Sequence, residues 1–381
     1  MSTRRIYSAA PSPRIRDLLT GGGSAWREPL PRTCPMILTG SCRSAIRLGL
    51  GSMDVGEGDD ILVPSYHCGS EIDAILSSGA SVTPYRIDGA AQIDLEDLES
   101  RIGSTTRAIY LTHFYGFPAD TTGVRSLCDQ RNLFLIQDCA HSIFCTEGND
   151  PVASDADLAV YSLSKSLPVP CGGLACSPIG TVRIQEPARS VSPGRLNYAS
   201  MFKRMSIRAM ARLGLRLHAR AGGGAVADIP GTDPEFMPEH YRFNADLDAD
   251  RAAPRLSCRI LGHVDPSLVV HRRRHNYNRL HSSLRKVPGI ELVLPEAGSG
   301  TSPLVCPVRS NWLCRRVWAL RSLGVEATRF WLGRHPSIDL GSFPEVAVLK
   351  EQVVGLPVHQ AMSNEQIDFI AHCIGQMSRE Q

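Results

Sequence analysis

The sequence predicts an α/β protein in which a large domain on a mainly parallel sheet is followed by a smaller C-terminal α+β domain. Three observations lead there. From Met36 to Tyr161 short, apolar, β-rich segments alternate with helical patterns, as in a parallel sheet covered on both faces. One of these strands, Leu133-Phe134-Leu135-Ile136-Gln137-Asp138, ends on an acid. The next runs through Tyr161-Ser162-Leu163-Ser164 to Lys165, with Gly172-Gly173 seven and eight residues further on.

In chain order, residues 1–32 are rich in Pro, Gly, Ser and Arg and read as an irregular arm. The large domain is expected over 33–244. It opens with a short strand, Met36-Ile37-Leu38-Thr39, that leads into Gly40-Ser41-Cys42-Arg43-Ser44 and a helical pattern from Ala45 to Leu50. Strands follow at 60–64, 81–85 and 108–112, with helices at 70–78, 95–102 and 121–131 between and after them. The acid-bearing strand and the strand 157–161 complete the series. Within a less regular stretch, 180–240, residues Tyr198 to Arg220 read as a basic amphipathic helix, packed on the domain or a partner subunit in preference to a membrane surface. The smaller domain, 245–381, shows helical patterns at 251–261, 268–284 and 311–323 and short strands at 291–294 and 305–308.

Bulk properties exclude several classes. Apolar content of 43% and charged content of 21% describe an ordinary globular chain. A net charge of +3 over 381 residues gives no support for nucleic-acid binding. No run of eighteen apolar residues predicts a spanning helix. Basic residues at the N-terminus have no apolar core behind them, so a secretory signal is not expected. The twelve cysteines show no metal-ligand spacing, and no metal is expected; they read as reduced thiols of a cytoplasmic protein.

The chemistry concentrates at strand ends, where ligands bind in such sheets. Lys165 is one of four lysines against 37 arginines. A chain that meets its surface charge with arginine keeps a lysine at a strand end for a reason, since only lysine can lose its proton and attack a carbonyl. Asp138 is costly at a buried strand terminus unless paired. A protonated pyridinium nitrogen would satisfy it, although an acid capping the next helix is an equal alternative. Acid, lysine and paired glycines in this order are the arrangement expected for pyridoxal 5'-phosphate, with Lys165 as the Schiff-base residue. His141 can bond a ring substituent. The 39–46 segment, with Arg43 and Ser44, can seat a phosphate at a helix N-terminus, or is simply a capped helix start. The Ser162 and Ser164 hydroxyls are candidates for the same phosphate. A ring in Pro64-Ser65-Tyr66-His67-Cys68-Gly69 can stack on a planar cofactor, although a polar turn around a core tyrosine is preferred for that stretch alone. His113 and Tyr115, in the loop after the 108–112 strand, face the same strand ends; taken alone, His113 reads as structural.

These segments resemble the DegT/DnrJ/EryC1/StrS family of pyridoxal phosphate-dependent sugar aminotransferases, which have the aspartate aminotransferase (fold type I) fold. The resemblance runs from about Thr39 to Ile374. It is carried by Cys42-Arg43-Ser44-Ala45-Ile46, Pro64 to Cys68, Thr112 to Asp120, Gln137-Asp138-Cys139-Ala140-His141, Lys165 with Cys171-Gly172-Gly173, Asn244 ahead of Ala252-Ala253, and Leu356 to Glu365. It implies that Lys165 is the catalytic Schiff-base lysine and that Asp138 faces the pyridine nitrogen. His141 would support the ring oxygen, and Arg43, Ser44 and Ser162 the phosphate. Asn244 would reach the phosphate of a neighbouring subunit, in a homodimer with shared active sites. An amino acid donor and a keto acceptor, for the family usually a nucleotide-linked keto-sugar, would be the substrates, with His113, Tyr115, Arg329 and Trp331 as substrate contacts.

The chain departs from the family pattern around this site. Ser162 lies two residues closer to the lysine than usual. Cys42 and Arg43 replace a glycine and a threonine. Cys68 stands where the stacking aromatic is expected, which leaves His67 or Tyr66 to replace it. Cys171 replaces an acid, and Phe330-Trp331 a His-Tyr pair. Two rivals therefore accompany the aminotransferase reading: a pyridoxal phosphate lyase or dehydratase, and a catalytically silent sensor or scaffold that keeps the fold.

Overall fold

The computed structural model describes residues 10–14, 17–18, 22–31, 34–187, 189–190, 201–202, 205, 251–332 and 335–380. Asn244 and nearly all of the basic 198–220 stretch lie outside the described residues.

The large sheet comprises β1 (Ile37–Thr39), β2 (Asp60–Pro64), β3 (Ser81–Tyr85), β4 (Thr106–Thr112), β5 (Phe134–Asp138), β8 (Leu158–Ser162), β9 (Gly173–Cys176), β10 (Arg189–Ser190) and β11 (Arg251–Ala252). Between β5 and β8 a small separate hairpin joins β6 (Thr146–Glu147) to β7 (Asp150–Pro151). The order is β10-β11-β1-β9-β8-β5-β4-β2-β3. Strands β3, β2, β4, β5 and β8 are mutually parallel, as the alternating pattern predicts. Beyond β8 the sheet changes sense, with β9 antiparallel to both β8 and β1.

Both faces are covered, which explains why these strands read as continuous apolar runs. Ile61, Val63, Tyr110, Ile136 and Val160 pack with Ala45, Ile46 and Leu50 of the Cys42–Ser52 helix on one face. Leu62, Ile109, Leu111 and Leu135 turn the other way, onto Leu98, Val124 and Leu127 of the helices Leu95–Ser100 and Thr122–Arg131. Successive strand residues thus alternate between two cores.

The last third forms an antiparallel sheet, β12 (Glu291–Leu292), β13 (Val305–Arg309), β15 (Val353–Pro357) and β14 (Thr328–Arg329), in that order. Long helices at Pro266–Leu284 and Asn364–Arg379 pack beside it. The helical pattern expected at 311–323 is two helices, Asn311–Arg315 and Val317–Ser322, which meet at Arg316 (φ −117°, ψ 17°). One core reaches across both sheets: Leu304, Val305, Phe330, Val346, Leu349 and Val353 pack with Leu62, Tyr66, Ile109 and Phe114. The second sheet is thereby held over the carboxyl ends of β2 and β4.

Gly173 places the site. It lies opposite Thr39 on one side and Ser162 on the other. A Cβ here would stand 2.2 Å from the Ser41 carbonyl oxygen and 2.6 Å from the Cys42 nitrogen. The glycine lets strand backbone approach the Cys42–Ser52 helix terminus. Gly173→Ala should lower stability by about 1–3 kcal/mol, the usual cost of overpacking a fixed backbone contact, measured as a lowered urea midpoint at unchanged m-value.

Candidate functional site

At the carboxyl ends of β5 and β8 lies a cavity of about 190 Å³. It is lined by Ser41, Cys42, Arg43, Cys68, Glu71, Asp138, His141, Ser162, Lys165 and Trp331, among others. Parallel pairing sets Asp138 beside Val160, so the acid and the lysine come from adjacent strand ends. Lys165 sits on a single helical turn, Leu163–Ser166, where a strand-to-loop junction was expected. The turn is held at both ends. Leu163 N–H donates to the Gly172 carbonyl at 3.0 Å, and the Ser166 carbonyl accepts from Arg273 (2.9 Å) and Gln360 (3.0 Å) of the C-terminal third.

Asp138 Oδ1 accepts from the Ala140 N–H at 2.7 Å and Oδ2 from the Tyr110 hydroxyl at 2.8 Å. Burial pushes its carboxyl up; Lys165 pulls it back and Glu71 adds to the rise, leaving it at about 6. Burial alone would lower the Lys165 ammonium, but Cys68, Asp138, Cys42 and Glu71 outweigh it and hold the amine above its ordinary value. His141 Nε2 lies 3.2 Å from Lys165 Nζ. Burial and Lys165 keep that imidazole neutral, well below its usual range. Its Nδ1 accepts from the Tyr115 N–H at 3.4 Å. With Nδ1 accepting, the neutral ring carries its proton on Nε2, which donates to Lys165 Nζ when that amine is free.

Ser41 caps the Cys42–Ser52 helix by accepting from the Ser44 N–H at 3.2 Å. Cys42, Arg43 and Ser162 open toward that helix end in the cavity. Ser44 does not; it is buried behind Ser41, hydroxyl to hydroxyl at 3.0 Å. Ser162, and not Ser164, lines the cavity.

Four other expected contacts lie elsewhere. His67 is buried, away from the cavity, and neither ring nitrogen has a hydrogen-bond partner among the described residues. The loop turns Cys68, the next residue, inward instead. His113 is fully buried between Gln137 Oε1 (2.9 Å) and the Ala119 N–H (3.0 Å), and burial drops its imidazole to about 4, so it is a structural residue. Tyr115 stands behind His141, its hydroxyl 2.7 Å from that of Tyr66. Arg329 turns its guanidinium to the Glu351 carbonyl at 3.2 Å. Trp331 does reach the cavity, its ring laid on His141 with centroids 5.3 Å apart and planes at 23°.

Glu71 was not singled out from the sequence. It accepts from the Cys68 N–H at 3.0 Å and from the Cys68 thiol at 2.6 Å, and burial with Glu71 pushes that thiol up to about 12. An acid in the first turn of the Ser70–Leu76 helix reads as an ordinary N-terminal charge. Its only sequence signal is its place just after the Pro64–Gly69 loop.

Residues 34–174 match the DegT/DnrJ/EryC1/StrS aminotransferase family. Over this stretch the chain is similar to that family. GDP-perosamine synthase of Vibrio cholerae is 29% identical over 136 residues, 35% of this chain and 37% of that protein. The chain thus matches well under half the length of such curated relatives. Solved structures cover more. The aminotransferase TlmJ from Streptoalloteichus hindustanus superposes with a TM-score of 0.67 over 94% of this chain and 92% of its own, at 21% identity. The PLP form of Spr1654 from Streptococcus pneumoniae gives 0.68 over 97% and 98%, at 17% identity. At such identities the likeness establishes the fold, which is fold type I.

The donor set fits pyridoxal phosphate. A helix N-terminus with an arginine and two serines suits a dianion. A buried carboxylate raised to about 6 lacks a full cationic partner, and a protonated ring nitrogen would be one. That carboxyl has a testable cost. Its folded value exceeds its unfolded value, so its ionisation opposes folding as pH rises from about 4, with the full cost present above about 6. Asp138→Asn, without cofactor, should match the parent at pH 4. At pH 7.5 it should exceed the parent in stability by up to about 3 kcal/mol, at 1.36 kcal/mol per pH unit, in urea unfolding at the two pH values.

Proposed function

We propose that this chain is a pyridoxal phosphate-dependent aminotransferase that moves an amino group from an amino acid to a keto acceptor, with a nucleotide-linked keto-sugar as the acceptor class. The observation that carries the reading is the meeting of Lys165, Asp138 and His141 in one cavity at the ends of β5 and β8. When bound, pyridoxal phosphate supplies an electron sink for charge that develops at the carbon losing a proton.

The protein supplies the rest. Ser41, Arg43 and Ser162 would hold the phosphate with the helix N-terminus behind them. Asp138 would face the ring nitrogen, where its own burial cost is offset by an opposite charge. His141 would orient the ring oxygen. Lys165 would attach the cofactor through Nζ and, once released, carry a proton between cofactor and substrate carbons; neutral His141 would donate its Nε2 proton to Nζ while that amine is free. Trp331 and Ala140 would exclude water from that transfer. The acceptor class rests on the GDP-perosamine synthase relative, whose name states a nucleotide-linked amino sugar. The reading extends to a cytoplasmic homodimer, for which the family pattern around Asn244 is the support.

Purified protein mixed with pyridoxal phosphate should develop a visible absorption band that borohydride erases. The reduced phosphopyridoxyl group should map by mass spectrometry to Lys165. Lys165→Ala should form neither, and glutamate should bleach the wild-type band. A wild-type protein that stays colourless and unmodified would overturn the enzymatic reading.

A further inference from the structure

Trp331 closes one side of the candidate cavity from an unusual backbone. Its φ is +57°, a left-handed conformation that bulky residues adopt only where their surroundings over-determine it. The surroundings can be named. Upstream, β14 pairs with β15, Thr328 opposite Gly355 and Arg329 opposite Val354. Phe330 then lies over Gly355, where a Cβ would meet its ring at 2.3 Å. Phe330 is seated by that missing side chain, so the chain must turn within one residue to bring the next ring to His141.

The turn is held by Lys350. Its ammonium donates to the Trp331 carbonyl at 2.6 Å and reaches the His67 carbonyl at 3.4 Å. It also stands 5.7 Å from the Tyr66 ring centre, and Tyr66 packs on the Trp331 indole at 4.7 Å. Lys350 is 3% exposed. It projects from the Pro344–Gln352 helix, whose Val346 and Leu349 are fixed in the core shared by both sheets. One cation therefore bridges the carbonyl before Cys68 and the carbonyl of Trp331, two walls of the same cavity.

We propose that Lys350 is a positioning residue: it clamps the Trp331 backbone in its left-handed turn so that the indole closes the candidate site against His141, shielding the Lys165 amine from water. The catalytic consequence rests on the aminotransferase reading; the clamp itself does not. Methionine in place of Lys350 keeps the length of the side chain and removes the donor.

The first measurement is acrylamide quenching of tryptophan emission without cofactor, with Trp331→Phe subtracted to isolate the Trp331 contribution. Lys350→Met should raise quenching of that contribution at least twofold and shift its emission to the red. Unchanged quenching in a folded variant would overturn the clamp, whether or not the protein binds pyridoxal phosphate. Should Lys350→Met fail to fold, Lys350→Gln, whose shorter chain keeps a donor without the reach to both carbonyls, is read by the same two results. In protein loaded with pyridoxal phosphate, Lys350→Met should still be trapped by borohydride at Lys165, while its glutamate half-reaction slows at least tenfold. A half-reaction as fast as wild type, with the indole exposed, would overturn the shielding role.

Discussion

The juxtaposition of Lys165 and Asp138 constrains the rest of this structure. Neither charge is stable alone at a buried sheet end, and together they share a cavity with Glu71, where burial raises the carboxyl to about 6 and Lys165 limits the rise. The parallel pairing of β5 with β8 fixes where the two emerge. The reversal to antiparallel β9 turns the lysine's helical turn back under the sheet and brings Gly173 against the Cys42–Ser52 helix terminus. A helix N-terminus and an amine are thus joined by one glycine with no room for a side chain.

The C-terminal third acts on the same point from the other side. Arg273 and Gln360 fasten the carbonyl that follows Lys165, and the β14 segment delivers Trp331. Arg86 with Glu345 (2.8 Å) and His335 with Asp73 (2.9 Å) tie this third to the segment after β3 and to the Ser70–Leu76 helix. The cavity walls therefore come from two sheets that share a core.

Much of this was legible in the sequence because it follows from strong local rules. Alternating apolar strands, the acid at the end of β5 and a lysine in an arginine-rich chain each carry a cost or a periodicity that a single segment displays. What was not legible depends on partners distant in sequence. His113 stands at a strand end like a ligand, yet its ring is consumed by Gln137 inside the next strand. Ser44 lies in a phosphate-like motif, but the cap formed by Ser41 takes it. Arg329 was expected as a substrate contact, and the fold turns its guanidinium to a carbonyl. Glu71 passed for a surface charge because nothing local says that its helix begins in the wall of a cavity. The missing stacking ring at Cys68 was visible in the sequence. Burial, with Glu71 beside it, pushes up the thiol that replaces it, and neither His67 nor Tyr66 enters the cavity in its stead.

The scarcity of lysine has a further consequence. Aldehydes condense with amines and ignore guanidinium groups. With 37 arginines and four lysines, this chain offers a reactive aldehyde few decoys on its surface. Of the four amines, Lys165 lines the cavity, and Lys350 is buried behind its wall, occupied with the His67 and Trp331 carbonyls. Charge is carried by a group that cannot react, so under the proposed function covalent selectivity toward Lys165 would be favoured by the composition of the whole surface as well as by the site.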